Sequence, residues 1–273
     1  MSATPDLEGR TAVVTGASSG IGRAVAERLG SAGATVYLGG RTVEPMEATI
    51  ARIEASGGHG VPVVFDVRDG ARLQAMIRRA AEETGRLDVM VNNAGLGHAG
   101  PLLADDPSYW TELLEVNVLA LLIGCKTAVE AMRSSGNGGH IINISSIAAL
   151  RPDAGAYGAT KVAVNYLTAA LRQELEADDI RVTSLMPGVV ATNFARNLDP
   201  EVVAGVAAIS GTEFDFTPGE RLPDEALEAA QSSLSNHIAA PEDIADAVDF
   251  VLSQPFRINI PEIIVRPAQS LDL

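Results

Sequence analysis

A single cysteine, Cys125, rules out an internal disulfide in this 273-residue sequence. Its neighbours Leu121, Leu122, Ile123 and Ala128 point instead to a packed helix and a buried structural thiol. Aromatic residues are scarce at 4 %, so the core has to be built from Ala, Val, Ile and Leu, a mixture suited to helices packed on a β-branched sheet. Positive charge is also short, 20 Lys and Arg against 35 Asp and Glu for a net −15, and this excludes an extended basic footprint for nucleic acid or an anionic membrane. Any phosphate must therefore be held by local geometry. Apolar runs never reach the ~18 residues of a membrane span, and no basic segment leads into an apolar one, so a cytosolic protein without a secretory signal is expected. The histidines His59, His98, His140 and His237 are scattered without ligand spacing, and no metal site is expected.

Present instead are seven short β-branched or aliphatic runs, 10–15, 35–38, 61–65, 87–91, 140–145, 181–186 and 260–265. Amphipathic stretches separate them at 22–31, 44–55, 71–84, 109–132, 157–177 and 241–252. Strands alternating with helices of this length require crossover connections, which produce a parallel sheet with helices on both faces. The expected fold is a single doubly wound α/β domain of the Rossmann type with seven parallel strands. The segment 193–236 interrupts the rhythm with Gly205, Gly211, Pro218, Gly219 and Pro223, and long insertions of this kind serve as lids or as surface elaborations. It is a candidate substrate lid, with 224–233 expected to be helical.

The first strand runs into Thr15-Gly16-Ala17-Ser18-Ser19-Gly20-Ile21-Gly22 and then a helix. Glycines permit the tight turn and close approach to a pyrophosphate, while the free N–H groups and dipole of the helix start favour negative charge. Ser18 and Ser19 add hydroxyl donors. After the second strand, where an acidic residue would bind the adenosine ribose hydroxyls, the sequence reads Gly39-Gly40-Arg41. A guanidinium in place of a carboxylate favours a 2′-phosphate, hence NADP(H) over NAD(H).

Tyr157-Gly158-Ala159-Thr160-Lys161 opens a helix and puts Tyr157 and Lys161 on one face, a turn apart. A phenol has an ordinary pKa of ~10, and an ammonium one turn away, the positive end of the helix dipole and a cationic nicotinamide would all act to lower it. Two strand ends carry further polar groups to the same sheet edge, Ile144-Ser145-Ser146 and Asn92-Asn93-Ala94-Gly95.

In combination these motifs resemble the short-chain dehydrogenase/reductase family over residues 10–267. The resemblance implies that Gly16 to Gly22 form the cofactor turn, that Asp66-Val67 contact the adenine ring, and that Asn93-Ala94-Gly95 border the nicotinamide riboside. It also implies that Asn117 holds a water in a proton relay, that Ser146 orients the substrate oxygen, and that Tyr157 is the acid/base. Lys161 would lower the Tyr157 pKa and hold the nicotinamide ribose, and Pro187-Gly188-Val189-Val190-Ala191-Thr192 would seat the carboxamide, Pro187, Gly188, Val190 and Thr192 being its cofactor contacts. The family's serine commonly lies thirteen residues before the tyrosine, whereas Ser146 lies eleven and Ser145 twelve before Tyr157, so Ser145 remains an alternative. The ending Asn259 to Pro267 is similar to a branch acting on 3-hydroxy acids. Implied partners are a small-molecule carbonyl or alcohol and further copies of the chain, as a dimer or tetramer, packed through the helices 109–132 and 157–177 with Ala163, Ala169 and Ala170 allowing close approach. Two rival readings are a non-catalytic NADP-binding regulatory protein and a methyltransferase with a related glycine turn. The latter leaves Tyr157 and Lys161 unexplained. His98 and the pair Tyr109 and Trp110 are read as a loop residue and packing residues.

Overall fold

The computed structural model describes residues 6–97, 100–198, 200–217 and 219–270; His98, Asp199 and Pro218 lie outside the described residues. Seven strands form one parallel sheet in the order β3-β2-β1-β4-β5-β6-β7. They are β1 (Thr11–Thr15), β2 (Thr35–Gly40), β3 (His59–Val64), β4 (Val89–Asn92), β5 (Gly139–Ile144), β6 (Ile180–Pro187) and β7 (Glu262–Val265). β1 and β5 are buried along their whole length, as the covered faces of a parallel sheet require, while the edge strands β3 and β7 are partly exposed. All seven expected strands are present, with ends shifted by one or two residues.

Helices α1 (Gly20–Ser31), α2 (Val43–Ala55) and α9 (Pro241–Leu252) cover one face, where Val25, Leu29, Ile53 and Val248 pack on Val14, Val36 and Leu185. On the other face α3 (Gly70–Thr84), α5 (Ala120–Ser135) and α6 (Gly155–Glu174) bring Leu73, Ile77, Ala128, Met132 and Val164 against Val13, Met90 and Ile141. Local signals define the ends: Asp69 caps α3 by accepting from Arg72 N at 3.1 Å, and Gly85 closes it in the left-handed region at φ 77°. Cys125 is buried in this layer, and desolvation pushes its thiol up to about 12, so it packs as an inert thiol.

The expected continuous helix 109–132 is instead three pieces: α4 (Pro107–Leu114), a π turn (Glu115–Leu119) and α5. The Ala120 N–H reaches back five residues to Glu115 O, and the widened turn carries Asn117. In the 193–236 segment, α8 (Asp224–Ser233) forms where a helix is expected, and α7 (Pro200–Ser210) is an additional helix. Among the described residues no helix is long and apolar enough to cross a membrane.

His140 opens β5 with its ring 5.0 Å from that of Phe256 and its Nδ1 buried without a partner. Burial, with the positive charges of Arg181 and Arg10 outweighing Asp88, lowers its pKa from 6.5 to about 4. The folded state thus binds this proton less readily than the unfolded chain, so stability is full above pH 6.5 and falls as pH drops toward about 4. The loss is on the order of 3 kcal/mol at the acid end. Urea unfolding across that window should show the decline, and a His140→Leu variant should flatten it; an equal slope in the variant would remove His140 as its source.

Candidate active site

Connections leave β1 toward β2 and β3 on one side and resume at β4 on the other, so the β1/β4 boundary is the topological switch point. Ligands of open α/β sheets bind at the carboxyl ends of the strands beside such a point. A cavity of about 430 Å³ opens there, and every residue expected to touch the cofactor lines it. Asn117 alone of the expected set stands behind its wall.

Backbone forms the floor. Gly16 and Gly20 lie in the left-handed region at φ 68° and 53°. A Cβ at Gly22 would stand 2.3 Å from Gly16 O and 2.4 Å from Asn93 Nδ2, so no larger residue fits. Ser19 precedes α1 without making a side-chain cap, so no side chain of the N-cap takes up the first N–H groups of the helix, and Gly20, Ile21 and Gly22 line the cavity. A glycine turn of this kind at a helix start, with no room for a Cβ at Gly22, fits a pyrophosphate. Asn93 braces it: Nδ2 donates to Thr15 O at 2.8 Å and Gly16 O at 3.3 Å. Thr15 Oγ1 in turn accepts from the N–H groups of Asn93 and Ala94 at 3.0 and 3.1 Å. Thr15 thus joins β1 to the Asn93-Ala94-Gly95 loop, a role its place at the strand end, directly before Gly16, would have signalled. Asn92 faces the other way, donating to Asn143 Oδ1 at 2.8 Å in the buried sheet.

Along the cavity's flank Asp66 is held by Arg68 at 2.7 Å, which keeps its carboxyl below the ordinary range, with Val67 beside it. Arg41 is exposed at the end of β2 on the same wall. Pro187 ends β6, the Gly188 N–H donates to Val265 O at 2.7 Å, and Val190 bridges to Ala239. Thr192 then lays its methyl against Gly20, where an added Cβ would meet it at 2.9 Å.

Tyr157 sits in the first turn of α6, 9 % exposed, beneath Leu96 and Gly97 and with its ring 5.4 Å from that of Phe194. Gly97 adopts φ 148°, and a Cβ there would fall 2.2 Å from the Tyr157 ring. The two serines part company. Ser145 Oγ donates to Lys161 O at 3.2 Å and is tied to the helix backbone, whereas Ser146 acts on the Tyr157 phenol, lowering its pKa, and its Oγ accepts from Ala148 N at 3.1 Å. In extended chain adjacent side chains point to opposite faces, so only one of the two meets the tyrosine. Two 3₁₀ turns, Ile147–Leu150 and Pro152–Ala154, bridge the short connection between Ser146 and α6.

Lys161 is fully enclosed, its Nζ donating to Ile144 O at 3.0 Å and lying 5.7 Å from the centroid of the Tyr157 ring. Desolvation pushes the Tyr157 phenol up to about 12, and Ser146 offsets this only in part. Desolvation likewise brings Lys161 down to about 8, weakening the neighbouring charge that was to favour phenolate. Asn117, 2 % exposed, accepts from Leu96 N at 3.0 Å and donates to Leu96 O at 2.8 Å and Thr160 Oγ1 at 3.0 Å. The π turn thereby clamps the loop that covers Tyr157. Thr160, signalled only by its place beside Lys161, is a further structural member of the site, as are Leu96 and, in the 193–236 segment, Phe194.

A short chain dehydrogenase family model matches residues 10–202. The chain belongs to the short-chain dehydrogenase/reductase family. It is 36 % identical to human dehydrogenase/reductase SDR family member 11, over 96 % of this chain and 95 % of that protein. Among solved structures it is similar to a metagenomic short-chain oxidoreductase in complex with NADP, with 33 % identity, TM-score 0.73, and coverage of 96 % and 99 % of the two chains. A short-chain dehydrogenase from Mycobacterium paratuberculosis bound to NAD is also similar, at 27 % identity and TM-score 0.76, covering 96 % and 98 %. This short-chain dehydrogenase/reductase is therefore an oxidoreductase with a nicotinamide-cofactor fold.

Proposed function

We propose that this oxidoreductase interconverts a small carbonyl compound and the corresponding secondary alcohol with NADP(H), using Tyr157 as acid/base. The observation carrying the proposal is the convergence of Ser146, Tyr157 and buried Lys161 on the one cavity that the glycine turn also lines. When bound, the nicotinamide supplies or accepts the hydride. The remaining work falls to the chain. Backbone N–H groups of residues 20–22 hold the pyrophosphate, Arg41 meets the 2′-phosphate, and the Asn93-Ala94-Gly95 loop with Pro187, Gly188, Val190 and Thr192 lines the nicotinamide half. Ser146 donates to the substrate oxygen and sets it against the phenol, which gives up or takes the proton. Lys161 is the cation nearest the phenolate. The amide of Asn117 is committed to Leu96 and Thr160, so the relay water implied by the family resemblance would meet its main chain. Following NADPH absorbance across a panel of ketones, aldehydes and 3-oxo acids tests the reading; tight NADPH binding with no oxidation by any of them would favour the non-catalytic alternative.

In the same proposal 193–236 is the substrate lid, since Phe194 already packs on Tyr157 and the segment lines the cavity through residue 198. A homo-oligomer is also proposed. Leu114, Leu119 and Leu122 beside α5, and Val162 and Tyr166 on α6, are exposed large apolar residues on the two helices expected to pair, while Ala163, Ala169 and Ala170 are half-buried. Light scattering should give a dimer or tetramer mass, reduced by Leu122→Glu with Tyr166→Glu; a monomeric wild type would overturn it.

A further inference from the structure

Arg41 and Arg196 line the same cavity in a protein of net charge −15, and Arg221 lies close enough to act on Arg196 electrostatically. Arg221 is committed to Asp224 at 3.0 Å, a carboxylate that Arg23 also shares at 3.3 Å. Arg41 and Arg196 differ, since both line the cavity with Ser18, Ser19, Gly20 and Gly40, and neither is paired with a carboxylate among the described residues. Asp66, the acid whose carboxyl feels Arg41, is occupied by Arg68. Arg196 is half-buried, and desolvation together with the charges of Arg41 and Arg221 lowers its pKa from the ordinary value. Like charges drawn together out of water are destabilising unless an anion joins them.

The local chain holds Arg196 in this place. Thr192 is seated on Gly20 of the cradle, and Asn193 Oδ1 accepts from Leu222 N at 2.7 Å. Gly219 N donates to Arg196 O at 2.9 Å, so the loop carrying Arg221 is fastened to the turn carrying Arg196. The turn Asn193–Asn197 thus spans from Phe194 on the tyrosine to Arg196 beside Arg41.

We propose that Arg196 closes with Arg41 on the 2′-phosphate of NADP(H), so that the segment following β6 reads the cofactor with the same turn that covers Tyr157. The inference rests on the NADP(H) reading of Arg41. A phosphate held between two guanidinium groups gains charge-assisted, geometrically matched hydrogen bonds that a 2′-hydroxyl does not offer. Occupant and cover are thereby coupled: a cofactor with the phosphate draws the turn down, and one without it leaves two unpaired cations.

Titrating NADPH, NADH and 2′,5′-ADP into wild type, Arg196→Gln, Arg196→Lys and Arg41→Ala, read by protein fluorescence or calorimetry, tests this without turnover. The expected result is a fall in the NADPH-to-NADH affinity ratio of about tenfold or more in Arg196→Gln, with a parallel loss for 2′,5′-ADP. Arg196→Lys, which keeps the charge without the planar fork, should fall between the two. An unchanged ratio in both Arg196 variants overturns the proposal, while a loss confined to Arg41→Ala leaves the NADP(H) reading standing. Equal weakening of NADPH and NADH would assign Arg196 to the pyrophosphate and also overturns it. A ratio unmoved by Arg41→Ala and Arg196→Gln alike would bring down the NADP(H) reading itself.

Discussion

Tyr157→Phe should lower kcat by about 10²–10⁴-fold while NADPH binding stays within a few-fold of wild type, the range expected when a positioned acid/base is removed. The ring is what the fold uses: it is 9 % exposed, packed under Leu96 and Gly97 and 5.4 Å from the Phe194 ring, and Phe retains all of those contacts. Only the hydroxyl is lost, and with it the partner of Ser146. Steady-state kinetics beside a fluorescence titration separate the two effects, and activity within tenfold of wild type would sink the acid/base assignment. Ser146→Ala should follow Tyr157→Phe in direction. Ser145→Ala removes a hydrogen bond to Lys161 O and should act on thermal stability more than on kcat.

Gly22→Ala is expected to weaken NADPH and NADH together by about 100-fold. A Cβ at this position would stand 2.3 Å from Gly16 O and 2.8 Å from Gly16 C, backbone atoms that cannot rotate away. The turn must open, and the loss of two charge-assisted backbone hydrogen bonds at ~1.5 kcal/mol each corresponds to about that factor. Overpacking itself costs about 1–3 kcal/mol in stability, so the thermal midpoint should fall as well. Gly57→Ala separates the two effects: at φ 88° it is strained, yet nothing lies within 4 Å of the added Cβ, so stability should drop with cofactor affinity retained. Wild-type affinity in Gly22→Ala would mean the phosphates are held elsewhere.

These two expectations differ in how readily they are read from residues alone. The glycine turn is a contiguous stretch, and a tight strand-to-helix connection demands glycine wherever it occurs. The serine beside Tyr157 was ambiguous, because Ser145 and Ser146 are adjacent in an extended chain and the face each presents depends on strand register against β6 and on α6 packing above it. The π turn at Glu115–Leu119 was invisible for a related reason: over a single turn a wider helix leaves the apolar pattern of 109–132 intact. What selects it is the reciprocal pair of hydrogen bonds between Asn117 and the main chain of Leu96, twenty-one residues earlier. α7 escaped notice because its residues Val202, Val203, Ala204, Val206, Ala207 and Ala208 are apolar without a clear polar face.

By itself the sequence determined the alternation of strands and helices, the glycine turn after β1 and the placing of Tyr157 and Lys161 on one helical face, since each follows from periodicity or backbone permission within a few residues. The tertiary structure decided which serine meets the phenol, how far burial raises Tyr157 and lowers Lys161, and that Arg196 stands beside Arg41 across 154 intervening residues. Desolvation and the meeting of distant charges are set by what the rest of the chain packs around a group, and no local pattern encodes them.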